Sequence, residues 1–177
     1  MNIDKKKLHP KGTVEKQYKE MEEDLMYYWK EDGLDTLKTE HVDCSFCGNK
    51  SAILQNPEFI KFRFPYIKCT NCGLVYPAIR PKFEYIERQY THGRFSKSFS
   101  DIYLPSAPYR MKTIFRERVE EIIHPRVKTG KLLDIGSSSG HFLKVANNHG
   151  YDTYGIEPNP EMVEFSTKEL NLKNIYN

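Results

Sequence analysis

Residues 1–15 show no apolar period and predict a frayed lead. Over 16–31 the apolar and aromatic positions Tyr18, Met21, Leu25, Tyr28 and Trp29 recur mostly every three or four residues. That spacing predicts an amphipathic helix packing on a neighbouring domain and ended by Asp32-Gly33. Further on, Ile60, Phe62 and Phe64 alternate with Lys61 and Arg63, the period of a strand with one buried face. Residues 77–108 carry Pro77, Pro81, Pro105 and Pro108 among scattered Tyr and Ser, which predicts a connector with little regular structure. Helical spacing resumes at 109–123 through Met111, Ile114, Phe115, Val119, Ile122 and Ile123, and Pro125 ends it.

The rest of the chain alternates. Lys131–Ile135 reads as a strand, Gly136–Gly140 as a turn, and Phe142–Asn148 as a helix capped by His149-Gly150. Thr153–Ile156 is a second strand, Pro160–Leu170 a second helix, and Asn174–Tyr176 the start of a third strand. A βαβα series implies a parallel sheet with right-handed crossovers, so the fold class is α/β. The expected organisation is an N-terminal helical segment at 1–40, a cysteine module at 41–80, a linker at 81–108, and an α/β domain at 109–177.

Composition narrows the function classes. The chain has 177 residues, 38% hydrophobic and 29% charged, with twelve Tyr and ten Phe to supply a core. A net charge of +3 is too small to argue by itself for nucleic acid or membrane. No segment approaches the roughly 18 apolar residues of a membrane span. The basic start, Met1 to Lys7, is followed by no apolar run and so predicts no secretory signal. The four cysteines fall in two CxxC pairs, which without an export signal read as metal ligands. The expected location is the cytoplasm.

Between the first strand and its helix lies Asp134-Ile135-Gly136-Ser137-Ser138-Ser139-Gly140. Gly136 permits a tight turn at positive φ and leaves the ligand side open. The serines stand where a helix N-cap is wanted, and outward-facing N–H groups there receive a carboxylate or polar ligand. The second strand closes in Ile156-Glu157-Pro158, a carboxylate suited to accept hydrogen bonds from ribose hydroxyls. A nicotinamide site of G-x-G-x-x-G type fits poorly, because Ser138 and His141 stand where its second and third glycines belong. The loop also matches G-x-S-x-G, the nucleophile elbow of α/β-hydrolases. His141 and His149, the histidines after it, both sit on the adjoining helix rather than in a triad position.

These residues resemble the class I S-adenosylmethionine-dependent methyltransferases, whose first motif is an acidic residue followed by Gly-x-Gly-x-Gly. Asp134, Gly136 and Gly140 match, and Ser138 replaces the middle glycine. The resemblance implies that Gly136 and Gly140, with Ser137 and Ser138, line the methionine end of S-adenosylmethionine. It implies that Asp134 organises that end through water, and that Glu157, followed by Pro158, holds the ribose. No catalytic base is identified; His141 beside the loop reads as a helix-surface histidine.

Cys44, Cys47, Cys69 and Cys72 form two knuckles, Cys44-x-x-Cys47-Gly48 and Cys69-x-x-Cys72-Gly73, separated by 21 residues. Joined by a hairpin they give a tetrahedral Zn(Cys)₄ ribbon, close to a common zinc spacing. A redox dithiol or an iron–sulfur site is the competing reading. A closed four-cysteine site has no open position, so Zn²⁺ would be structural, and His41 reads as a surface residue. The segment from Cys69 to Pro81 resembles the ribbon found ahead of many bacterial methyltransferases, including sugar C-methyltransferases. Lys61, Arg63, Lys68, Arg80 and Lys82 interleave with Phe62, Phe64, Tyr66 and Tyr76, which would also suit a nucleic-acid strand. With so little net charge, a solvated face over buried aromatics is the better reading.

The family's complete sheet has seven strands, so the expectation is a C-terminally truncated, Rossmann-like methyltransferase domain behind a zinc ribbon. Its acceptor would be a small metabolite or sugar, and a partner chain would complete the sheet. The competing expectation is a non-catalytic zinc-ribbon adaptor that binds nucleic acid or protein.

Overall fold

The computed structural model describes residues 4–9, 12–30, 33–50, 56–61, 63–92 and 99–177. The chain divides into two compact units, one of Glu15–Ile86 and one of Met1–Val14 with Glu87–Asn177. Among the described residues no helix is long and apolar enough to cross a membrane.

The chain opens with a short helix α1 (Lys5–Leu8) and then α2 (Thr13–Met26). α2 ends before the expected residue 31, because Trp29-Lys30 (β1) folds back on Gly33-Leu34 (β2) as a small hairpin. Asp32, part of the expected helix stop, lies outside the described residues. The aromatic cluster of Tyr27, Tyr28, Trp29, Phe64 and Tyr85 accounts for this turn: the rings pack edge to face rather than along one helix stripe.

The cysteine module is built from β3 (Thr39–His41), β4 (Phe59–Lys61), β5 (Phe64–Lys68), β6 (Val75–Pro77) and β7 (Ile79–Pro81). β4, β5 and β6 form an antiparallel sheet and β3 pairs antiparallel with β7. The alternation expected as a single strand over 60–64 is instead a hairpin, with Arg63 at φ 66° and Lys61 opposite Phe64. Ile60 is exposed rather than buried, and Phe62 lies outside the described residues. Phe64 and Tyr76 are buried, while Lys61, Arg63, Lys68 and Arg80 reach solvent. The small core gathers Cys44, Ile67, Cys69, Tyr76 and Ala78, so two of the four candidate ligand cysteines belong to the packing itself.

The expected connector is largely helical among its described residues: α3 (Phe83–His92) falls inside 77–108 and α4 (Leu104–Arg110) begins there. The chain is helical from Phe99 to Ile123, with wide π-type turns at Phe99–Tyr103, Met111–Phe115 and Arg118–Ile123. Prolines misled the reading because the helical run carries them: Pro105 sits where a π-type turn passes into α4, and Pro108 lies inside α4. The Ser106 hydroxyl donates to the carbonyls of Ile102 (2.7 Å) and Tyr103 (3.2 Å) at the junction.

β8 (Gly130–Ile135), α5 (His141–Asn148), β9 (Tyr151–Ile156), α6 (Pro160–Lys168) and β10 (Asn174–Tyr176) complete the chain. The sheet is parallel in the order β10-β9-β8, with Asp134 beside Gly155 and Ile175 on Gly155's other side. The third strand therefore forms as expected. One sheet face, carrying Leu132, Gly155 and Ile175, packs on Leu143, Val145, Ala146 and Leu172, with Val119 of the long helical segment in the same core. The other face is uncovered among the described residues: Leu133 is 55% and Ile135 77% exposed, with Ile156 and Tyr176 also open.

Candidate functional site

The loop from Gly136 to Gly140 leaves the carboxyl end of β8 and enters α5. Gly136 has φ 78° and open space where a Cβ would stand, so backbone conformation rather than crowding requires glycine there. Ser138 stands at the middle glycine position of the motif and itself adopts a left-handed φ of 49°. Gly140, at φ 73°, is the N-cap of α5, and no side chain caps that helix. The serines are thus not the caps expected of them. A Cβ on Gly140 would stand 2.7 Å from Leu172 Cδ1 and 2.9 Å from Ser166 Oγ, so Gly140 lets α5 approach its neighbours closely.

Most of the loop's N–H groups are turned inward. Gly136 and Ser137 donate to the Ile156 carbonyl at 2.8 and 3.1 Å, and Gly140 donates to Ser137 O at 3.0 Å. Ser138 N–H donates to Glu157 Oε2 at 2.8 Å, and Asn159 N–H donates to Glu157 Oε1 at 2.9 Å. Glu157 is only 7% exposed, and a buried carboxylate needs such donors. This requirement, with that of the Ile156 carbonyl, overrides the expected outward display of N–H groups. Asn159 in turn caps α6, its Oδ1 accepting from Glu161 N–H at 2.9 Å.

A cavity of about 310 Å³ opens against this loop. Its floor comes from Asp134, Gly136 and the three serines, and its far wall from Tyr103, Arg110, Ile114 and Arg118 of the helical segment. Gly140, Glu157 and Pro158 do not line it. Burial pushes the Asp134 carboxyl above its usual range; Arg118 opposes this and nearby Glu157 adds to it. His141 also lines the cavity and is half-buried, its Nδ1 2.7 Å from Ser139 Oγ. It is not the helix-surface histidine expected, and burial lowers its pKa, favouring the neutral imidazole. Sequence reading placed Arg110 and Arg118 on the helix at 109–123 but missed the arginine wall because nothing local shows that this helix returns to the loop, and it assigned Tyr103 and Ala107 to a linker at 81–108. The signal was present in the helical spacing of Tyr103, Ala107, Arg110, Ile114 and Arg118.

The polar chemistry of the loop suits a ligand with polar ends. Ser137 lines the cavity, and its Oγ is buried near Gly155 without a hydrogen-bond partner among the described residues. Asp134 offers an anion to an ammonium or a bound water, and the positive-φ Gly136 leaves the approach clear. These residues fit a nucleoside carrying an amino-acid group.

In the other unit, the four cysteine sulfurs lie within 4.8 Å of one another, close enough to hold one metal ion. Cys44 and Cys72 sulfurs are 3.5 Å apart, and those of Cys47 and Cys69 3.6 Å. Tetrahedral zinc with bonds of about 2.3 Å sets sulfurs about 3.8 Å apart, so the cluster has the right size. Both knuckles repeat one pattern. Gly48 N–H donates to Cys44 O and Gly73 N–H to Cys69 O, with both glycines at positive φ. The Cys72 backbone N–H, followed by that of Asn71 and the neighbouring thiols, lowers the Cys69 pKa to about 6. Cys72, although the Leu74 N–H favours its thiolate, is pushed up to about 12 by burial and the other three cysteines. The thiols share protons because adjacent thiolates repel, a conflict that a bound cation removes. His41 is exposed on β3 and is no part of the cluster.

No curated protein matches the chain. Residues 108–176 match a family model described as a methyltransferase domain, a span that runs from the arginine wall through the glycine loop to β10. The match supports an S-adenosylmethionine-dependent methyltransferase domain over those residues.

Proposed function

We propose that the protein is an S-adenosylmethionine-dependent methyltransferase, or the cofactor-binding part of one, acting on a small metabolite or sugar. The observation that carries the reading is the Asp134–Gly140 loop, set over a cavity at the carboxyl end of a parallel, Rossmann-like sheet and inside the matched span. When bound, S-adenosylmethionine supplies an electrophilic methyl group. Gly136, Ser137 and Ser138 seat the methionine end, and Asp134 orients it. Glu157 takes the ribose side, because each of its oxygens keeps a lone pair after serving the Ser138 and Asn159 N–H groups. Gly140 and Pro158 act by shaping the loop and the strand end.

The ribbon holds structural Zn²⁺ through Cys44, Cys47, Cys69 and Cys72. The resemblance of this ribbon to those preceding sugar C-methyltransferases is the support for a sugar acceptor. A partner chain completing the sheet belongs to the same reading; the apolar exposure of Leu133 and Ile135 supports a partner at this sheet.

Calorimetry on the folded, zinc-loaded chain tests the cofactor. S-adenosylmethionine is expected to bind, and Glu157→Ala to weaken it about tenfold or more, since two N–H groups lose a charged acceptor. A folded, zinc-loaded sample that takes up no S-adenosylmethionine would sink the proposal.

A further inference from the structure

Two arginines line the cavity, and their charges are answered differently. Arg118 faces Asp134 through space and lies over the Phe142 ring. Arg110 is half-buried and has no carboxylate within ion-pair distance among the described residues. It is nevertheless held firmly. Its Nε donates to Ser106 Oγ at 2.8 Å, one Nη2 hydrogen reaches Leu8 O at 3.3 Å, and its guanidinium carbon sits 4.6 Å from the Tyr103 ring centroid. Both hydrogen-bond acceptors are neutral. Of the five N–H donors of a guanidinium, these contacts use two.

A partly desolvated cation that is fixed in place and lacks a counter-ion is a poor structural choice and a good receptor. We propose that Arg110 is the anion anchor of the cavity and receives a ligand carboxylate through its free donors. Arg118 faces Asp134, so Arg110 is the cavity's second cation, and a zwitterionic amino-acid group can meet it with its carboxylate while its ammonium turns to Asp134. The proposal rests on the methyltransferase reading for the identity of that ligand. The carboxylate has two sources, the cofactor's amino-acid group or an acidic methyl acceptor.

The test uses the zinc-loaded chain, its Arg110→Gln and Arg110→Lys variants, and three probes: S-adenosylmethionine, decarboxylated S-adenosylmethionine and inorganic phosphate. Arg110→Gln is expected to weaken S-adenosylmethionine about tenfold or more and to leave the decarboxylated probe within about twofold. Arg110→Lys keeps the charge without the fork and is expected to fall between; it carries the test if the glutamine variant does not fold. Unchanged S-adenosylmethionine binding, with thermal stabilisation by phosphate that Arg110→Gln abolishes, assigns the anchor to the acceptor's anion. If wild type binds no S-adenosylmethionine the cofactor reading fails, while an Arg110-dependent phosphate effect still upholds the anchor. An Arg110→Gln chain that keeps wild-type response to all three probes overturns it, as does a wild type that responds to none.

Discussion

Asp134 is a side chain unfavourable for folding at neutral pH and, in the proposed function, useful for binding. Burial holds its carboxyl above the ordinary value of 3.8, Arg118 offsets part of this, and Glu157 adds to it. The folded state therefore binds the proton more readily than the unfolded state. Stability linked to this group is fully present below the ordinary pKa and is lost as pH rises through the higher folded value. At neutral pH the ionised group weakens the fold. Asp134→Asn is expected to raise the thermal midpoint at pH 7 by roughly 1–4 °C, the effect reduced by the partial exposure of the group. The same change is expected to weaken S-adenosylmethionine binding, the usual trade at a site kept strained for function. Melting curves at pH 4 and pH 7 check the sign: the gain should shrink at the acid end. An equal gain at both would mean that the benefit comes from packing instead of charge.

At the scale of elements, the two metal knuckles and the βαβ series were legible because each is specified by neighbouring residues. Glycine after the second cysteine fixes each knuckle turn, and alternating strand and helix periods fix β8 to β10. The helices that occupy or begin in 77–108 were not legible, because Pro105 and Pro108 read as breakers although the helical run carries both. The 60–64 alternation misled for the opposite reason: a hairpin through Arg63 at positive φ preserves a period of two across its turn. At the site, the loop glycines and Glu157 could be read locally, but Arg110 depends on a helix returning to the loop from afar. The ribbon also carries an element-scale prediction. Its small core includes Cys44 and Cys69, so removing the metal withdraws the centre of the packing. Chelation, or Cys44→Ser with Cys69→Ser, is expected to erase amide-exchange protection over 39–81 and to leave 130–176 protected. A wild-type chain should hold one zinc ion, and full protection of 39–81 in metal-free protein would contradict a structural role.

The whole sheet explains why one face is bare. From β8 through β9 to β10 the strand order advances in one direction, so successive crossovers of the same hand put α5 and α6 on the same side. The long helical segment joins them there through Val119 and Phe115. Register places Leu133 beside Tyr154, and Ile135 beside Ile156 and then Tyr176, across the opposite face. Parallel sheets are ordinarily buried on both faces, and burying such side chains is worth about 25 cal/mol per Å². Among the described residues β8 also has one edge with no strand beside it. The isolated chain is therefore expected to self-associate with rising concentration and to bind a hydrophobic dye. The double change Leu133→Thr with Ile135→Thr puts a β-branched, strand-compatible residue at both positions while removing apolar area. Because both side chains are exposed in the isolated chain, each change should alter stability by no more than about 0.5 kcal/mol. Light scattering should show the double variant staying monomeric where wild type does not, with S-adenosylmethionine binding kept. A wild-type chain that stays monomeric and dye-silent across the same range would remove the basis for a partner on this face. The cofactor assignment would stand untouched, because the loop and the arginine wall lie on the covered side.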